Sequence, residues 1–407
     1  MPLDFPNIRH MRVFLEAVRA GSVSAAAERC HLSQPAATQA IARLEEEFAT
    51  PLLVRAKRDL LPTECGALLV ARIEATLDHL RIGAQAALRA PGSAGRRAEP
   101  PFDRQVTAAQ LRALVAIANT GSFTIAARLL GLSQPTVHRT ARNLEELAAT
   151  PFFRAKATGV ELTPAAQAFV LGAKLAQAEI RQASEEISRQ LGDDRGTFNL
   201  GSLPLARTSI VPRATHAIIS RTSGVQVRVI DGRYAELLRS LREGDLDCLI
   251  GALRQPAPAD DVTEEALFND ELVIVAHPGH PLAKRDALTL DETLAFPWVA
   301  PPKDTPSGSY LFETLRIHER EVTPVRLVSS SLVVLRGILA LGNYISIISR
   351  HQISVEERDG HMCVLPIALK DNYRAIGLTY RTNWRPTATQ SQFIEYLRQF
   401  SSYRQEG

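Results

Sequence analysis

The chain has 407 residues, a length that suits two to four domains, with hydrophobic residues at 45% and charged residues at 22%. That balance excludes a disordered chain, and no apolar run approaches the roughly 20 residues needed to cross a bilayer, so no membrane role is expected. Forty-seven basic against 44 acidic side chains leave a net charge of +3, which neither demands nor excludes nucleic acid, so the basic residues have to be placed locally.

The N-terminus, Met1 to Arg12, lacks the apolar core of an export signal, so a cytoplasmic location is expected. The chain then repeats itself at a spacing of about 100 residues, the size of a duplicated domain. Gly21-Ser22 recurs as Gly121-Ser122, Leu32-Ser33-Gln34-Pro35 as Leu132-Ser133-Gln134-Pro135, and Leu44-Glu45-Glu46 as Leu144-Glu145-Glu146. Ala49-Thr50-Pro51 likewise returns as Ala149-Thr150-Pro151. In the first copy, Ile8, Met11, Phe14, Leu15 and Val18 fall at helical spacing and Gly21 ends the helix. Ser22 caps a short second helix, and Ser33 caps a third with Pro35 in its first turn, where a missing N–H costs nothing. Ala37, Ile41, Leu44 and Phe48 form the buried stripe of that third helix, matched by Val137, Ala141, Leu144 and Leu147. Two helices joined by a tight turn, the second with a polar outer face, describe a helix-turn-helix.

Each third helix is followed by a short hairpin with basic residues, Arg55, Lys57 and Arg58 in one copy and Arg154 and Lys156 in the other, suited to phosphate or minor-groove contact. Thr63 and Thr163 then open long helices. The expected organisation is a first winged module over 1–62, a long helix over 63–90, a linker over 91–101, a second winged module over 102–162 and a second long helix over 163–192. Candidate DNA-contacting residues are Ser33, Gln34, Pro35, Thr38, Gln39 and Arg43 in the first copy, and Ser133, Gln134, Pro135, Thr136, His138, Arg139 and Arg142 in the second. Both wings join them. Glutamine suits adenine and arginine suits guanine, so the second head is expected to dominate affinity. The first is expected to extend the footprint and to be removable, by deleting 1–95, without unfolding the rest. An open alternative makes the first copy a protein-interaction module.

From Thr197 onward short buried strands alternate with helices: Phe198–Gly201, Val225–Ile230, Cys248–Gly251, Leu272–Ala276, Trp298–Ala300 and Ile345–Ile348. Such alternation predicts a mostly parallel sheet. Cys30, Cys65, Cys248 and Cys363 lie far apart and read as small buried hydrophobes, and no metal spacing, cofactor motif or catalytic motif is found.

Ala-Ala-Glu-Arg-Cys-His-Leu-Ser-Gln-Pro-Ala and Leu-Glu-Glu-Glu-Phe, followed by wing and long helix, resemble the signature of LysR-type transcriptional regulators, here present twice. Leu241 to Asp247 and His280-Pro281-Leu282-Ala283 are similar to landmarks of that family's sensor. The resemblance implies a multidomain protein: two winged helix-turn-helix modules followed by a two-lobed α/β domain over 196–407, like periplasmic binding proteins. Lobe 1 is expected at about 196–265 and 376–407, and lobe 2 at about 266–375. It implies a non-enzymatic, ligand-responsive regulator of transcription that binds double-stranded DNA as a homodimer or homotetramer, with RNA polymerase as a further partner. The stripe Ala173, Ala176, Ile180, Ala183 and Ile187 is similar to the family's linker-helix dimer contact. An effector of unknown identity is expected between the lobes, near Ser202, Leu203, Pro204, Asp231, Gly232, Thr305, Ser307, Ser329 and Ser330, where strand ends and helix N-termini offer free N–H groups. The rival from another class is a solute-binding protein or an enzyme with appended helical domains.

Overall fold

The computed structural model describes residues 5–56, 59–91, 102–157, 159–254, 256–319 and 325–402. They fall into two compact units, the first running to Gly196 and taking in Glu243–Asp245, the second holding the remainder.

In the first unit, α1 (Ile8–Ala20), α2 (Val23–Arg29) and α3 (Gln34–Glu47) lead into the hairpin β1 (Leu53–Ala56) and β2 (Asp59–Pro62), then α4 (Glu64–Arg89). The second copy gives α5 (Ala108–Thr120), α6 (Phe123–Leu130), α7 (Gln134–Ala148), β3 (Phe153–Lys156), β4 (Gly159–Leu162) and α8 (Pro164–Gln190). The duplication extends to individual bonds. Ser33 and Ser133 cap α3 and α7, while Thr63 and Thr163 cap α4 and α8 and donate to the carbonyls of Pro51 and Pro151. Leu60 N–H donates to Gly21 as Val160 N–H does to Gly121. The turn before α7 uses Gly131 at φ 65°, whereas His31 holds the matching left-handed position at φ 53° despite its side chain.

The stripe on α8 is buried, together with Leu69, Ile73 and Leu80 of α4, because the two long helices pack against each other within the chain. They run antiparallel: Gly83 meets Gly172, Arg72 meets Glu179, Gln182 and Glu186, and Glu64 meets Gln190. The surface that the family resemblance assigns to a second subunit is covered by the first copy of the same chain. The first module is therefore not expendable. Deleting residues 1–95 strips α4 from an apolar helix face, and the expected result is aggregation and a broadened melt, read by gel filtration and circular dichroism.

The second unit carries a mixed sheet in the order β10-β9-β11-β8-β13-β7-β5-β6. Its strands are β5 (Thr197–Ser202), β6 (Gln226–Ile230), β7 (Cys248–Ala252), β8 (Val262–Ala276), β9 (Trp298–Ala300), β10 (Val325–Val328), β11 (Ile345–Ser349), β12 (Cys363–Val364, paired with β8) and β13 (Tyr373–Arg381). Helices α9 (Ile210–Ile219), α10 (Tyr234–Arg242), α11 (Leu290–Thr293), α12 (Pro306–Ser309), α13 (Leu332–Leu341), α14 (Ser354–Arg358) and α15 (Ala388–Ser402) flank it. The expectation of a mostly parallel sheet needs correction. Parallel pairs occupy both ends, but β8 and β13 run antiparallel through the middle, because the chain crosses between lobes once outward and once back. One core lies around Phe198, Ile250 and Phe393, and another around Trp298, Leu311 and Ile347. The last helix, α15, returns to α9 in lobe 1.

All four cysteines are free; Cys65 and Cys248 are buried as expected, but Cys30 and Cys363 are only half-buried. Among the described residues, no helix is long and apolar enough to cross a membrane, and no group of His, Cys, Asp or Glu has the arrangement to hold a metal ion.

Candidate nucleic-acid interface and sensor hinge

On α7 the buried stripe of Val137, Ala141 and Leu144 leaves His138, Arg139, Arg142 and Asn143 outward and exposed. Arg139 has no hydrogen-bond or ion-pair partner among the described residues. Arg142 is tied to Glu145 at 2.7 Å, and Glu145 in turn accepts from the N–H groups of Phe152 (2.7 Å) and Phe153 (3.0 Å) at the entry to the wing. His138 lies against Phe123, ring centroids 5.1 Å apart, which fixes its edge relative to α6. Ser133, Gln134 and Pro135 are exposed at the helix start, where the Ser133 hydroxyl both caps the helix and bonds the Thr136 hydroxyl at 2.8 Å. On the wing, Arg154 is exposed and without a partner among the described residues, while Lys156 pairs with Glu161 at 2.8 Å across the hairpin.

On α3, Ser33, Gln34, Pro35, Thr38, Gln39 and Arg43 are all exposed. The Thr38 hydroxyl is used on the Gln34 carbonyl, and Arg43 pairs with Glu46 at 2.7 Å. Glu45 repeats the anchoring role of Glu145 on the N–H groups of Leu52 and Leu53. Arg55 is exposed; Lys57 and Arg58 lie outside the described residues. Sequence reasoning missed Arg9 and His10 of α1, which border a recess of about 350 Å³ beside Leu32, Ala36, Gln39 and Arg43. Burial and the adjacent Arg43 and Arg9 hold the His10 pKa below the usual histidine value. The signal was present in sequence, since the second copy has Ala109 and Gln110 at these places. The first head is thus less bare than α3 alone implies.

In the sensor, Ser202 ends β5 fully buried, its carbonyl accepting from Arg207 at 2.6 and 3.0 Å, with Leu203 and Pro204 half-buried after it. Asp231 and Gly232 are exposed, and Asp231 pairs with Arg207 at 3.6 Å. Thr305 is an ordinary cap of α12; Ser329 accepts from the Ser331 N–H, and Ser330 is exposed. Ser307 differs. Its hydroxyl accepts from Arg374 at 3.1 Å, and Arg374 also pairs with buried Asp270 at 3.3 Å. Asp270 accepts from the Ser349 hydroxyl at 2.7 Å and from the His351 N–H. These residues come from β8, β11, β13 and α12, so they sit where the strands cross between lobes. Burial pushes the Asp270 carboxyl up and the Arg374 and His351 pKa values down; proximity of Asp270 and Arg374 opposes the shift in each other. No described hydrogen bond joins the Ser202 group to the Ser307 group. A recess of about 370 Å³ is bordered by Glu271, Arg350, Asn372 and Tyr373, the chain neighbours of that second group, and not by Ser202, Ser307, Asp270 or Arg374 themselves.

Residues 191–402 match the family described as LysR substrate binding domain, and residues 8–67 and again 108–167 match the bacterial regulatory helix-turn-helix protein, lysR family. The chain is a LysR-type transcriptional regulator. It is 32% identical over 380 residues to the HTH-type transcriptional regulator GalR of Pseudomonas putida, covering 93% of this chain and 94% of that one. With PcaQ of Agrobacterium fabrum it shares 26% identity over 297 residues, 73% of this regulator but 96% of PcaQ. What PcaQ leaves unmatched is about the length of one module and its helix. Among solved structures, a full-length OxyR variant from Pseudomonas aeruginosa (21% identity, TM-score 0.52) and CbnR (18%, TM-score 0.51) share the fold. They align with 73% and 72% of this regulator and 99% of their own chains. The regulator is not an enzyme, and its sensor is the effector-binding half of a ligand-responsive DNA-binding protein.

Proposed function

We infer that this regulator grips duplex DNA with α7 and its wing as the stronger head and α3 as the weaker one. The carrying observation is Arg139, exposed on α7 and without a partner among the described residues, where the first copy has Gln39. A free guanidinium offers a guanine two donors without first breaking a protein contact, as Arg43, Arg142 and Lys156 must. Arg154 supplies a phosphate contact. Arg154→Ala is expected to weaken all duplexes alike and to lower the slope of log affinity against log salt by about 0.9. Titrations at several salt concentrations check this. CbnR, which shares the fold, has been seen complexed with its target DNA. The working location is the cytoplasm, as a homodimer or homotetramer that engages RNA polymerase.

The effector site is at the hinge, where Ser307, Arg374 and Asp270 meet. Arg374 is held largely buried by a hydroxyl and one carboxylate, so an anionic or polar ligand between the lobes gains a desolvated cation and competes for it with Asp270. Such competition shifts the strands that join the lobes and so biases the DNA-binding half. Ser202 is too deeply buried to serve as the blocking position, so the test falls on Arg374. A thermal-shift screen of small carboxylates on the full chain is expected to give hits that Arg374→Gln abolishes. Unchanged shifts in that variant place the effector elsewhere.

A further inference from the structure

The two long helices form a pair whose members are not interchangeable. Subtracting the repeat period, α8 is a second copy of α4, and the contacts Gly83–Gly172, Arg72–Gln182 and Glu64–Gln190 keep nearly one register sum. A constant sum in an antiparallel pair of repeated helices is the mark of a local two-fold axis. The side chains break that symmetry. At one crossing the backbones touch: a Cβ on Gly172 would lie 2.6 Å from the His79 carbonyl oxygen. At the symmetry-related crossing, buried Arg72 reaches Glu179 at 2.8 Å, Gln182 at 2.6 Å, and Glu186 at 2.7 and 2.9 Å.

Like-with-like pairing fails on both sides. An α4·α4 pair sets Arg72 over Gly83 and offers it His79, Ile82 and Ala86 where the carboxylates stood, burying an uncompensated cation. An α8·α8 pair buries Glu179 and Glu186 against Gly172, where α4 supplies Arg72. Breaking a buried pair in this way is strongly destabilising, so the sequence selects α4 with α8. Arg12 on α1 adds a link, donating to the Asp103 carbonyl at the start of the second module at 3.2 Å.

The modules placed by this pair share packing residues but not reading residues. Outward positions 36, 38, 39, 42 and 43 carry Ala, Thr, Gln, Ala and Arg on α3; their counterparts on α7 are Thr136, His138, Arg139, Arg142 and Asn143. None is the same.

We propose that a single chain presents a complete, two-fold-related pair of unlike DNA-reading heads, locked by the heterotypic α4·α8 contact, and therefore selects a bipartite duplex whose inverted half-sites differ in sequence. This rests on the DNA-binding reading above. Two measurements on the full chain test it. First, Glu64→Cys with Gln190→Cys, in a Cys65→Ala background, is oxidised and run without reductant. The expected product is an internally bridged single chain that still binds DNA; a disulfide-linked dimer, or no bridge, overturns the intrachain pairing. Second, a randomised duplex library is enriched on the wild-type chain. Two dissimilar inverted half-sites are expected, with Gln39→Ala lowering affinity about 5- to 150-fold through one half only and Arg139→Ala through the other only. Identical halves, or a selected duplex in which neither half-site depends on Gln39, overturn the proposal. An unenriched library strikes the DNA-binding reading instead, and the bridging result then still decides the pairing.

Discussion

Arg139→Glu is expected to lower affinity for the selected duplex by more than about 100-fold while leaving the fold intact, because a base-reading guanidinium is worth about 1–3 kcal/mol and the new carboxylate also repels phosphate. The fold is spared because Arg139 makes no described contact with the protein. Adding Arg142→Glu is expected to abolish specific binding, and here part of the loss is structural. Arg142 steadies Glu145, which holds the first two N–H groups of the wing, so the reversal sets two carboxylates side by side. Gln39→Glu on the other head is expected to cost less than either. Fluorescence-anisotropy titrations at one salt concentration, with circular dichroism as the folding control, check the order. Equal losses from Gln39→Glu and Arg139→Glu would mean that the heads carry equal weight.

The second large effect concerns stability. Arg72→Ala leaves Glu179 and Glu186, 10% and 18% exposed, without their cation, a change expected to cost about 3–5 kcal/mol. Arg72→Met combined with Glu179→Gln and Glu186→Gln is expected to recover most of that loss, since removing every charge of a buried network leaves nothing unpaired. The two tryptophans, Trp298 and Trp384, both lie in the second unit, which separates the readings. Denaturation followed by circular dichroism should show an early transition from the helical first unit, while tryptophan fluorescence keeps its wild-type midpoint. A shift of both together would show that the units unfold as one.

Local features were legible in the sequence because short-range chemistry decides them. Ser33, Thr63 and their repeats cap helices through bonds spanning three residues, and the apolar stripes on α1, α3 and α7 follow helical spacing. The repeat at Leu32-Ser33-Gln34-Pro35 pointed to the family for the same reason. Long-range partners were not legible. The stripe of Ala173, Ala176, Ile180 and Ala183 reads identically whether a second subunit or α4 covers it; Arg72 meeting Glu179, more than 100 positions away, decides that only in the folded chain. Likewise, nothing in the neighbourhood of Arg374 marks it as a candidate site residue. Its significance comes from β8 and β13 crossing in opposite directions, which brings Asp270 and Ser307 to it. Periodicity fixes which face of an element is apolar, and only tertiary packing determines which partner buries it.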